Sequence, residues 1–188
     1  AEIIGKSSSI AYKIPDIVKY LPKLAKMYPG TKIIIMTRNP VEIFHSLLEK
    51  SWFSDASLRN KNETWPCRLL KGFRIPSWVD REDEKSWVKM DELHRIAYCY
   101  HQANYGLKEL PNYIEVRYDD LVDGPHKTTT ALADKLGLCF GEKTEEILKT
   151  VSRTKKPRDP DILKKLSPEI QSQVQRYSEL STKVTSPS

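Results

Sequence analysis

Arg38 and Ser46 stand eight residues apart, directly after the apolar run Lys32-Ile33-Ile34-Ile35-Met36-Thr37 and flanking Asn39-Pro40. The chemistry open to them is anion binding. An arginine at a turn presents a planar fork of donors that matches phosphate oxygens. A helix opening at Pro40 adds free backbone N–H groups and the positive end of its dipole. A hydroxyl a little over two turns into that helix supplies one more donor along the same face. A charge-assisted hydrogen bond of this kind is worth about 1.5–3 kcal/mol. The plainer reading of the same residues has Arg38 paired with a surface carboxylate and Ser46 as an ordinary polar helix position.

Other reactive residue types are scattered. Arg153-Thr154-Lys155-Lys156-Pro157-Arg158 is a basic loop, open to an anion or to solvent alone. His45, His94 and His101 lie on helical stretches, where a histidine is more often structural than a general base. Cys67, Cys99 and Cys139 fit neither a zinc spacing nor a CxxC pair. Gly5-Lys6-Ser7-Ser8 lacks the leading glycine of a Walker loop, which argues against a nucleotide kinase. Asn62-Glu63-Thr64 is a formal glycosylation sequon.

Bulk properties narrow the field. The chain has 188 residues, 39% hydrophobic and 30% charged, as in one globular domain with a full core. The net charge of +6 suits an anionic ligand. Nucleic acid ranks last among such ligands, because the basic residues are dispersed and no recognition motif appears. No apolar run reaches the roughly 20 residues of a membrane span, and no signal peptide is visible. The chain opens at Ala1 without a methionine, so removal of an upstream segment is compatible with it.

The elements that must position these residues alternate between strand and helix. Asp16 is a candidate N-cap before Ile17, Val18, Leu21, Leu24 and Ala25 at helical spacing, with a break or late start at Leu21-Pro22 and a stop at Tyr28-Pro29-Gly30. Lys32 to Thr37 reads as a strand buried on both faces of a parallel sheet. Asn39 caps the next helix, with Pro40 in its first turn. Residues 51–88 hold Trp52, Trp65, Trp78 and Trp87 without sustained periodicity and read as an irregular insertion. Its aromatic faces suit either an acceptor site or the core. Residues 87–108 return to helical spacing, Asn112 to Tyr118 reads as a strand, and a helix from His126 to Leu136 ends at Gly137. A short amphipathic helix from Lys143, a further helix from Pro168 to about Leu180 and a frayed tail over 181–188 complete one domain, 1–188. Such alternation predicts a three-layer α/β/α architecture around a parallel sheet.

Residues 32–46, Lys-Ile-Ile-Ile-Met-Thr-Arg-Asn-Pro-Val-Glu-Ile-Phe-His-Ser, resemble the 3′-phosphate-binding segment of PAPS-dependent sulfotransferases: an apolar strand, Arg-x-Pro, and a serine eight residues after the arginine. Tyr12-Lys13-Ile14-Pro15 with the Leu21-Pro22 helix and Tyr28-Pro29-Gly30 resembles the lead-in of several such proteins, and Val116 to Pro125 with Leu136-Gly137-Leu138 resembles a later segment of them. Together these pieces cover about residues 12–140. The resemblance implies a P-loop NTPase-like sulfotransferase fold and PAPS as co-substrate, without a metal. It further implies transfer of a sulfuryl group to a hydroxyl or amine of a glycan or small molecule. Arg38 and Ser46 would hold the 3′-phosphate, and Lys155, Lys156 and Arg158 would form a cationic loop over the cofactor. The family's loop for the 5′-phosphosulfate, with its catalytic lysine, has no counterpart in residues 1–37, as expected of an N-terminally shortened chain. Lys6 or Lys13 is then the candidate to face the transferred group. The alternative is a non-catalytic module that keeps only the 3′-phosphate site.

Overall fold

The computed structural model describes residues 11, 13, 15–60, 67–110, 112–139, 141–151 and 158–183. A 3₁₀ helix over Pro15–Tyr20 runs into α1 (Leu21–Met27), with Pro22 tolerated in the first turn because its missing N–H has no intrahelical role there. Tyr28 ends the helix.

β1 (Ile34–Thr37) pairs in parallel with β4 (Ile114–Arg117), from Ile34 opposite Ile114 to Thr37 opposite Arg117. Among the described residues this pair is one of two two-stranded sheets, and the other is the antiparallel hairpin of β2 (Cys67–Leu70) and β3 (Phe73–Pro76). The architecture is therefore mixed α/β and mostly helical. One face of the parallel pair packs Ile33 and Ile35 against Leu110, Leu21, Ala25, Leu107 and Tyr113. The other face departs from the sequence reading. Ile34 and Met36 are 43% and 57% exposed, so the apolar run of β1 is covered on one face only by the described residues.

Residues 51–88 are also more regular than their composition suggests. They carry α3 (Asp55–Arg59), the hairpin, a 3₁₀ turn over Arg81–Asp83 and α4 (Glu84–Lys89). Lys71 and Gly72, both at positive φ (51° and 78°), form the two-residue turn that matches the strands' right-handed twist. Leu58, Phe73, Ile75, Val79 and Trp87 make a core under the hairpin, with Phe53, Trp78 and Tyr98 packed on it. Ring pairs such as Trp78–Trp87, 5.4 Å apart and nearly perpendicular, take the edge-to-face geometry that the aromatic quadrupole favours. Two of the tryptophans are thus core residues.

α5 (Glu92–Leu107) is the central pillar, capped by the Asp91 side chain at the His94 N–H. Its Arg95 is buried, and each guanidinium nitrogen donates: to the carbonyls of Trp87, Phe53 and Val88 and to Asp55 Oδ1 at 2.7 Å. After β4 come α6 (Tyr118–Asp123) and α7 (Pro125–Leu136), the latter closed by Gly137 at φ 70°. α8 (Glu142–Thr150), a 3₁₀ turn over Ile162–Lys165 and α9 (Pro168–Lys183) follow. Ile162, Leu166 and Val174 from this last part share a core with Phe44, Ile96 and Ala97.

Candidate functional site

α2 (Pro40–Lys50) starts as its sequence dictates. Asn39 Oδ1 accepts the Val41 N–H at 2.9 Å, and Pro40 occupies the first helical position. The helix therefore opens at the carboxyl end of β1. Because β1 and β4 are parallel and in register, Arg38 and Tyr118 leave neighbouring strands at the same end of the sheet. In open α/β sheets this end is where ligands bind.

Arg38 is held on two sides. Its guanidinium carbon lies 4.2 Å from the centroid of the Tyr118 ring, a cation–π contact. Its Nη2 donates to Glu42 Oε2 at 2.9 Å, one helical turn away. The plainer expectation for Arg38, pairing with a carboxylate, is thus part of the geometry. It is not the whole of it. Arg158 Nε lies 3.5 Å from the same Glu42 oxygen, and Arg158 Nη1 lies 3.6 Å from Glu49 Oε1. Two arginines 120 positions apart converge on one carboxylate.

The segment that carries Arg158 is laid along α2. His45 Nε2 lies 2.9 Å from the Asp159 carbonyl, so this imidazole is engaged in docking. The Asp159 carboxyl is held below the ordinary carboxylate range, first by the Asp161 N–H and then by Lys165. Arg38 Nε and Arg158 Nη1 are buried and have no hydrogen-bond partner among the described residues. Buried donors in native structures are nearly always satisfied, so these two have capacity for a further acceptor. A phosphate is rich in acceptor oxygens, so the residues present fit such a group.

A model of the sulfotransferase family matches residues 2–142 of the 188. The chain belongs to the sulfotransferase family. Its members are PAPS-dependent transferases, and membership implies PAPS as co-substrate with an acceptor beside it. Neither the curated proteins nor the solved structures give a match to the chain.

The residues singled out from the sequence are dispersed over the structure. Arg38 and Arg158 come together through Glu42. Ser46 lies on the same helix, half-buried, and its hydroxyl makes no hydrogen bond among the described residues. Lys13 is exposed, and no hydrogen bond or ion pair joins it to the arginines. Lys6, Lys155 and Lys156 lie outside the described residues, as do Trp65 and the sequon. His94 Nδ1 is 2.7 Å from the Asp91 side chain that caps α5. His101 Nδ1 is 3.2 Å from Tyr177 Oη, and burial, with Lys108 nearby, pushes its pKa down. Trp52 is exposed, with Lys50 Nζ 4.3 Å from its ring centroid.

Sequence reasoning missed Glu42, Glu49 and Tyr118. The spacing of Arg38 and Glu42, four apart at a helix start, was a usable signal for the first. Nothing local marks Tyr118, whose place depends on strand register.

Proposed function

We propose that this sulfotransferase grips the 3′-phosphate of PAPS at the turn between β1 and α2, with Arg38, Ser46 and Arg158 as donors. Lys155 and Lys156, next to Arg158 in sequence, complete the cationic side. The observation that carries this reading is the convergence of Arg38 and Arg158 on one carboxylate at the carboxyl end of a parallel strand pair. Bound PAPS supplies an activated sulfuryl group whose leaving group is the 3′,5′-bisphosphate nucleotide. The arginines fix that nucleotide by its 3′-phosphate and so orient the opposite end. Lys13 and Lys6 are the candidates to meet the transferred group, and the acceptor is a hydroxyl or amine of a glycan or small molecule. The architecture that suits this chemistry is a single three-layer, P-loop-like domain over residues 1–188, with β1 and β4 in its parallel sheet.

Adenosine 3′,5′-bisphosphate, the product nucleotide, is the probe. A ligand at a hundredfold its Kd stabilises the folded state by about 2.7 kcal/mol. For a chain of this size that amounts to a rise of several degrees in Tm, about 2–4 °C per kcal/mol. Arg38→Ala is expected to abolish the rise. An unchanged Tm for the wild-type chain would overturn the cofactor assignment.

A second reading, a module that binds the nucleotide without transferring the sulfuryl group, is favoured by one observation: Lys13 is exposed and unconnected to the arginine cluster. Binding of the bisphosphate with no release of it from PAPS in the presence of hydroxyl and amine acceptors would select this module.

A further inference from the structure

We propose that Glu42 is a displaceable stand-in for the ligand phosphate, a carboxylate that occupies the arginine site until the nucleotide takes its place. The inference rests on the phosphate-site reading given above and adds a residue that sets affinity and release.

Among the described residues the cluster sets Arg38 and Arg158 against Glu42 and Glu49. A phosphate dianion is repelled by a carboxylate that sits on the same donors. Binding therefore requires one carboxylate to leave, and Glu42 is the one placed to do so. Its Oε2 touches both guanidiniums, at 2.9 Å from Arg38 and 3.5 Å from Arg158. It lies in the first turn of α2, where the helix dipole favours a negative group, ligand or side chain. It has no capping duty, because Asn39 already accepts the Val41 N–H. Its side chain is 34% exposed, which leaves a path outward.

Neither arginine depends on Glu42 alone for its position. Arg38 keeps the Tyr118 ring at 4.2 Å, and Arg158 keeps Glu49 at 3.6 Å. Each also has a buried donor without a hydrogen-bond partner among the described residues, Arg38 Nε and Arg158 Nη1, the latter within ion-pair but not hydrogen-bond distance of Glu49. A group with more acceptor oxygens than a carboxylate serves these donors better. Glu42 thus keeps two buried-side cations compensated in the free protein, and its return speeds the departure of the nucleotide.

Calorimetric titration of adenosine 3′,5′-bisphosphate into the wild-type chain, Glu42→Gln and Glu49→Gln tests this. Glu42→Gln removes the competing charge at nearly constant shape and is expected to bind about tenfold tighter, mainly through slower dissociation. Glu49→Gln removes an equal charge but leaves the stand-in in place, so its gain is expected to be smaller. Equal gains in the two variants would reduce the effect to net charge and overturn the proposal. Equal or weaker binding by Glu42→Gln than by wild type would overturn it as well, because Glu42 would then position Arg38 instead of competing for it. If Glu42→Gln does not fold, Glu42→Asp, whose carboxylate is drawn back by one methylene, is expected to bind tighter by a smaller factor. No gain there has the same adverse meaning. Absence of binding by every variant, wild type included, would sink the phosphate-site reading and this inference together, whereas wild-type binding without a gain on substitution removes this inference only.

Discussion

Tyr118 gives Arg38 a surface to rest on. Its ring lies under the Arg38 guanidinium at 4.2 Å and thereby fixes which way the arginine's fork can point. A cation–π contact of this sort contributes about 0.5–2 kcal/mol, depending on how far it is desolvated. Tyr118→Leu keeps an apolar side chain but removes the π face, so Arg38 loses orientation more than neighbours. The Kd for adenosine 3′,5′-bisphosphate is expected to rise by ~2- to 30-fold, while Tyr118→Phe stays near wild type. A titration in which the leucine variant binds as well as wild type would remove Tyr118 from the site. The strand β1, the Asn39 cap and the helix start at Pro40 were legible in the sequence because all three are local patterns. The partners were not. Tyr118 meets Arg38 through the register of β1 and β4, and Arg158 meets Glu42 through docking of a distant segment on α2. No window of sequence contains either event.

The crossing of the first 3₁₀ helix over α5 turns on Gly106. A Cβ at that position would lie 2.9 Å from Lys19 Cα and 2.9 Å from the Val18 carbonyl oxygen, both backbone atoms with no side-chain freedom to yield. The close approach also serves Lys19, whose Nζ bonds Asp80 beside Trp78 and Gln102. Burial works to raise the pKa of Asp80, but hydrogen bonds from Lys19 and Gln102 and the Lys19 charge hold it below the usual range. Gly106→Ala gains about 1 kcal/mol of helix propensity. Overpacking against backbone costs about 1–3 kcal/mol, occasionally more, and forces the two helices apart. The net expectation is a lower Tm, whereas Gly30→Ala, with nothing within 4 Å, leaves it unchanged. Equal melting of Gly106→Ala and wild type would show that the crossing is looser than described. At this scale the fold was legible wherever punctuation is strong: Pro22, Asn39-Pro40, Gly137. It was not legible in 51–88, where helix α3 has five residues, each hairpin strand has four, and the turn is Lys-Gly. Elements that short carry only one or two periods of hydrophobic pattern, and tertiary packing around Trp87 and Arg95 decides them instead.

The last part of the chain lies beyond the family match at residue 142, yet it packs into the core on which the site helix rests. Ile162, Leu166 and Val174 are each 3% exposed and meet Phe44 of α2 with Ile96 and Ala97 of α5. Phe44 and Glu42 stand on the same helix, so this core and the arginine cluster are two sides of one element. His45 and Asp159 join the same surfaces at their edge. If the whole chain is one domain, a defect placed in the C-terminal part must weaken everything at once. Leu166→Ala empties a buried volume whose loss typically costs about 2–5 kcal/mol. Because Tm falls about 2–4 °C per kcal/mol at this length, the shift is readily measured. The transition is expected to stay single, with tryptophan fluorescence and far-ultraviolet dichroism moving together. The two probes report different regions, since the buried Trp87 and the half-buried Trp78 belong to the hairpin core and not to the one that is damaged. A fluorescence transition that stays at its wild-type temperature while the dichroism splits would show two independent units. Arg158 would then reach the site from a neighbour that can detach, and not from within the domain that binds the nucleotide.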